Sequence, residues 1–160
     1  MKNCAFTGHR SIPGSHEQNL SAILDRAIFY AYEEGCRNFY TGGAIGFDTM
    51  AARKLISFRI SHRDVKIIVA VPCKDQDAKW TDAQKDDYAF ILSNADEIIF
   101  ISEDYTADCM KKRNEYLADV CDILIAYSSR ARSGSGQTVR MAKERGKEVY
   151  NLYPNVAAAE

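Results

Sequence analysis

Apolar residues along this chain follow two rhythms. Short apolar runs near 2–7, 37–41, 65–71, 97–102, 122–127 and 147–152 read as strands. Between them, apolar residues recur three or four positions apart, as on one face of a helix. Leu20, Ile23, Leu24, Ala27, Ile28 and Ala31 mark the first such stretch. Ser15 precedes it, Gln18 completes a capping-box pattern, and Gly35 supplies a stop. Phe47, Ala51, Leu55 and Phe58 give a second stripe over 46–61, and further helices are predicted near 84–94, 108–119 and 136–145. The run 65–71 is almost unbroken, which suits a strand covered on both faces, and Pro72 ends it. The last residues, 155–160, read as a frayed tail.

This alternation predicts an α/β chain: a single Rossmann-like, doubly wound domain over 1–160, with a mainly parallel sheet of about six strands. Right-handed crossovers would put the carboxyl ends of all strands on one edge. Three polar turns fall there, at 7–10, 41–48 and 128–138. They meet only if the strand at 2–7 lies between those at 37–41 and 122–127. In such sheets ligands bind where the strand order reverses.

The turns carry the candidate chemistry. Thr7-Gly8-His9-Arg10 and Thr41-Gly42-Gly43-Ala44-Ile45-Gly46-Phe47-Asp48 each close a strand on glycine and feed a polar loop or helix. Free amides and helix N-termini favour anions there. Arg10 adds a guanidinium that can grip a phosphate in two places. Glycines that only permit tight turns are the plainer reading, but three such turns on one edge favour a phosphate or nucleotide site. Asp48 sits in the first helical turn, where it suits the helix dipole, a ribose hydroxyl or a backbone amide. Arg113-Asn114 follows two lysines, and only part of that set can face one site. Trp80 reads as a stacking wall for a base or as core packing. Neither glycine turn has the G-x-G-x-x-G or G-x-x-x-x-G-K-[ST] spacing.

Charge and cysteines narrow the picture. A net charge of -1 argues against broad, salt-driven nucleic-acid binding, and no apolar run is long enough to span a membrane. The N-terminus lacks the long apolar stretch of a signal peptide. Five cysteines, an odd number with no C-x-x-C pair, read as reduced thiols of a cytoplasmic protein and not as a metal site.

Taken in order, Thr7-Gly8-His9-Arg10, Gly42-Gly43-Ala44-x-Gly46-Phe47-Asp48, Trp80, Tyr88, Asn94-Ala95-Asp96, Arg113-Asn114, Asp122-x-Leu124-Ile125-Ala126-Tyr127 and Gly134-x-x-x-Thr138 resemble YpsA-like proteins. These belong to the SLOG superfamily, which joins DNA-processing protein A with the LOG phosphoribohydrolases. The resemblance spans about 5–152 and implies a Rossmann-like domain that binds a nucleotide or nucleotide-derived ligand. It implies that Gly8, Arg10, Gly42, Gly43, Asp48, Arg113, Gly134 and Thr138 line one pocket, with Thr7, His9, Ala44, Asn114 and Trp80 as further binding candidates. LOG enzymes carry P-G-G-x-G-T-x-x-E and use that Glu, with an Arg on the preceding helix, on the glycosidic bond. Here Arg113 matches the Arg, but the Glu position falls on Met141, or on Arg140 with a one-residue slip. Glu144 lies a turn further on, roughly 60° round the helix. The expected role is therefore binding, regulatory or sensing, with no catalytic residue assigned. A phosphoribohydrolase is the alternative, and DNA-processing-protein-like binding of single-stranded DNA the second alternative. The sequence names no cofactor and leaves self-association open.

Overall fold

The computed structural model describes residues 2–159. Six strands and six helices alternate: β1 (Lys2–Gly8), α1 (Gly14–Glu33), β2 (Cys36–Thr41), α2 (Phe47–Ser61), β3 (Lys66–Val71), α3 (Asp82–Asn94), β4 (Glu97–Phe100), α4 (Cys109–Val120), β5 (Ile123–Tyr127), α5 (Gly134–Glu144), β6 (Glu148–Asn151) and α6 (Tyr153–Ala158). All strands are parallel, in the order β4-β3-β2-β1-β5-β6. The fold is the Rossmann-like, doubly wound α/β class expected. β1 is central, with β2 on one side and β5 on the other. The chain steps outward from β1 to β4, returns through α4, and continues from β5 on the other side. The reversal point is therefore the β1/β5 boundary.

Side-chain size decides how the two faces are covered. On one face Phe6, Phe39, Ile67 and Ile125 pack with Leu20, Leu24 and Ile28 of α1, Ala51 and Leu55 of α2, and Val156 of α6. On the other, the sheet offers small residues, Ala5, Ala70 and Ala126, against Leu117 and Ala118 of α4 and Val139 and Ala142 of α5. Alanines at the contact let these helices approach the central strands closely. That brings α4, and with it Arg113, over β1.

Four local expectations are corrected. The Ser15/Gln18 capping box does not form: α1 starts at Gly14 behind Pro13, with no side-chain cap. Proline at that position already presets φ, so the helix starts without a side-chain acceptor. The box forms instead at Thr81/Gln84, where both reciprocal hydrogen bonds are present, and α3 begins two residues earlier than its apolar pattern. Similarly, α5 starts at Gly134 because Ser133 caps it through the Gly136 amide. The tail is not frayed over 155–158: α6 docks on α1 with Val156 fully buried, while Glu160 lies outside the described residues.

Candidate functional site

Three loops at the carboxyl edge are stitched together by backbone and one imidazole. The His9 amide donates to the Tyr127 carbonyl at the end of β5 (3.1 Å), and the His9 carbonyl accepts from the Phe47 amide that opens α2 (3.0 Å). His9 Nε2 accepts from the Ser129 amide at 2.7 Å and lies 2.9 Å from the Ser129 hydroxyl. An acceptor Nε2 means a neutral ring with its proton on Nδ1. Burial, helped by the Arg130 charge, holds the His9 pKa below its ordinary value. The contact requires glycine at 46: φ is +80°, and a Cβ there would collide with the Arg10 and His9 backbone. Gly8 is likewise set by packing, since a Cβ there would enter the Phe47 ring.

Under these loops lies a chamber of about 280 Å3 at the β1/β5 boundary. Thr7, Gly8, His9, Arg10, Ala44, Asp48, Arg113, Asn114 and Gly134 line it, with Ser133, Ser135 and Met110. Arg113 is 5% exposed; its Nη1 donates to the Gly42 carbonyl at 2.8 Å and its Nε to Asn114 Oδ1 at 3.0 Å. Asp48 is 6% exposed and its Oδ2 accepts from the Ala44 amide at 3.2 Å, while Oδ1 is buried without a partner. The two side chains flank Gly42: a Cβ there would lie 2.6 Å from Arg113 Nη1 and 2.8 Å from Asp48 Oδ2. Burial pushes the Asp48 pKa up to about 6, opposed by Arg113, the Ala44 amide and Arg10. Burial also lowers the Arg113 pKa, against the Asp48 charge. Above that pH the chamber holds one carboxylate and two guanidinium groups, and below it the carboxylate is neutral.

The third wall is the start of α5. Ser133 Oγ accepts from the Gly136 amide at 3.0 Å, and Asn114 Nδ2 reaches the Gly134 carbonyl at 3.5 Å. The first amides of α5, on Gly134 and Ser135, have no partner inside the helix and carry its positive dipole end.

The candidate residues divide. Thr7, Gly8, His9, Arg10, Ala44, Asp48, Arg113, Asn114 and Gly134 meet in the chamber, with Gly42 directly beneath it. Gly43 turns away at φ +69° and lies against Val69, Gln76 and Tyr88. Thr138 is fully buried and spends its hydroxyl on the Gly134 carbonyl one turn back (3.0 Å), as helical threonines do. Trp80 lines a separate cleft of about 730 Å3 with Cys73, Gln76, Lys79 and Tyr105. That cleft shares Arg10 and Met110 with the inner chamber. Sequence reasoning missed Met110, Ser133, Gln76 and Tyr105. Ser133, next to Gly134 ahead of an apolar stripe, was legible as a helix cap; the others carry no local signal.

A model of the YspA SLOG family matches residues 5–154. The chain belongs to that family. It is 30% identical over 153 residues to the SPbeta prophage-derived protein YoqJ of Bacillus subtilis, covering 87% of this chain and 88% of that one. A Bacillus cereus UPF0398 protein is 26% identical over 164 residues, covering 96% and 89%. Among solved structures, DNA processing protein A of Streptococcus pneumoniae superposes with a TM-score of 0.67 at 21% identity. The Helicobacter pylori protein of that name, described with its single-stranded DNA binding mode, gives 0.62 at 17%. The chain is matched over 94% and 92% of its own length, but spans only 50% and 63% of theirs. At these identities the likeness is one of fold.

Met141, on α5, packs against the hydrophobic cluster that includes Leu117 and Ala118 of α4. Glu144 lies beside the outer surface of the 128–131 loop and away from the chamber. All five cysteines are free and buried. Among the described residues no group of three or more His, Cys, Asp or Glu is arranged to hold a metal ion. No helix among them is long and apolar enough to cross a membrane.

Proposed function

We propose that this SLOG protein binds a phosphate-bearing, nucleotide-derived ligand in the inner chamber, in a sensing or regulatory role. The observation that carries this reading is the convergence of Arg10, Arg113 and the α5 N-terminus on one chamber at the strand reversal point. Buried guanidinium with an incompletely paired aspartate favours a ligand that brings both anionic and hydroxyl groups. Phosphate takes the donors, and a sugar hydroxyl can donate to Asp48 Oδ1.

Base release would need a carboxylate at the sugar, to stabilise positive charge or activate water. Asp48 is the one carboxylate among the chamber-lining residues described. Its elevated pKa supports a second reading, N-glycosidic hydrolysis with a relocated acid. The test is incubation with AMP and other nucleoside monophosphates, with a melting scan and an assay for free base. Ligand-dependent stabilisation without base release is expected. Turnover abolished by Asp48→Asn would make the protein an enzyme. A short single-stranded oligodeoxynucleotide that outcompetes AMP would move the reading toward DNA.

A further inference from the structure

We infer that the outer cleft holds the ligand's nucleobase, and that it favours a base carrying an amino group. The nucleotide would then lie across both chambers, with its phosphate at Arg10. This rests on the nucleotide reading above. The two cavities share Arg10 and Met110 in their walls, and the outer one lies within the ~300–1,000 Å3 typical of small-molecule sites.

Two aromatic rings line the outer cleft. Trp80 is half-buried and braced edge-on by Tyr88, with centroids 5.2 Å apart and planes at 69°. Tyr105, on the loop after β4, is 68% exposed and belongs to none of the hydrophobic clusters. Trp80 packs in part against the cluster of Val69, Val71, Tyr88 and Ile91, whereas Tyr105 is left unpacked; aromatic rings so placed beside a cavity suit a flat, polarisable occupant. A guanidinium at the junction supplies the phosphate anchor.

The polar lining supplies donors on Arg10 and Lys79 and acceptors on Asp75 and Gln76. Gln84 Oε1 accepts from the Thr81 amide at 3.0 Å, so this side chain offers the cleft its Nε2 donor and no acceptor. The Gln76 amide is fixed by donation from Nε2 to the Gly43 carbonyl at 3.3 Å. That leaves Gln76 Oε1 buried without a partner. Asp75 also lines the cleft. An exocyclic amine, as on adenine or cytosine, would satisfy Gln76 Oε1, whereas the carbonyl of hypoxanthine would face it with like polarity.

Trp80 is the only tryptophan, so its emission reports this cleft alone. The full chain is titrated with inorganic phosphate, ribose 5-phosphate, AMP and IMP, reading tryptophan emission and melting temperature together. We expect AMP to change Trp80 emission and to bind roughly 3- to 10-fold more tightly than IMP. Ribose 5-phosphate should bind without that change. Trp80→Leu should weaken AMP roughly 5- to 100-fold and leave ribose 5-phosphate unaffected. Should that variant fail to fold, Tyr105→Ala on its exposed loop is expected to weaken AMP in the same selective way. AMP binding that Arg10→Ala abolishes, with emission and Trp80→Leu affinity unchanged, would overturn the cleft assignment and leave the nucleotide reading standing. Equal affinity for AMP and IMP would overturn the amino preference. If no phosphate compound shifts the melting temperature, both readings fall.

Discussion

The inner chamber and the outer cleft share two residues, yet they are built on opposite principles. The inner chamber is assembled at the carboxyl ends of the central strands, and two of its charged groups, Asp48 and Arg113, are buried and held by the Ala44 amide, the Gly42 carbonyl and Asn114. The outer cleft rests on the turns of 73–81 and on the loop after edge strand β4, whose residues are largely exposed. Chemistry placed at the sheet's hub is inseparable from stability. Chemistry placed on edge loops can be altered at little cost to the fold. Substitutions in the two regions should therefore differ both in size and in the property affected.

The largest effect should come from Arg113→Ala. It removes a buried cation whose charge opposes that of the buried Asp48 carboxylate, and a buried charge left uncompensated typically costs about 3–5 kcal/mol. Urea unfolding at pH 7.5 should show this loss, and it should shrink at pH 5, where Asp48 is protonated. A loss under 1 kcal/mol would erase the distinction between the two regions.

Next comes the pH dependence that Asp48 imposes. Its pKa is raised from 3.8 to about 6 on folding, so between those values the folded state holds a proton that the unfolded chain has released. Stability contributed by that proton is full at low pH and is lost as pH rises through about 6. The shift corresponds to ~3 kcal/mol. Denaturation of wild type and Asp48→Asn at several pH values should show this decline in the first and not in the second.

Ser133→Ala removes the cap of α5 and should cost about 1 kcal/mol, seen in the same unfolding assay. It should also disturb the inner chamber, because the cap fixes the Gly134 and Ser135 amides. At the other extreme, Tyr105→Ala should change stability by less than ~0.5 kcal/mol, since the ring is exposed. A large destabilisation there would show that the outer cleft is as tightly built as the inner one.

His9 adds a pH response of opposite sign. Its folded pKa is below 6.5, so the neutral ring, and the Ser129 bond it accepts, contribute stability present at neutral pH. That contribution falls as pH drops below about 6.5. Amide exchange in 128–133 should accelerate there, and His9→Phe should flatten the response.

Hydrophobic rhythm by itself determined the order of strands and helices and their parallel, doubly wound packing, because both periods are local properties that burial then enforces. The central place of β1 also followed, since three polar turns could not otherwise converge. Glycine spacing marked the turns, and Arg10, Asp48 and Arg113 were legible as charges near them. Tertiary structure alone decided the rest. Thr138 turned into its own helix, because a threonine hydroxyl finds the carbonyl one turn back before it finds a ligand. Gly42 became the contact between Arg113 and Asp48, residues 65 apart in sequence as their numbers show. Met110, Gln76 and Tyr105 joined Arg10 around a cleft only when α4 and two loops met at the same edge. Such placements depend on which distant side chains share one small volume, and no local period of the sequence encodes that.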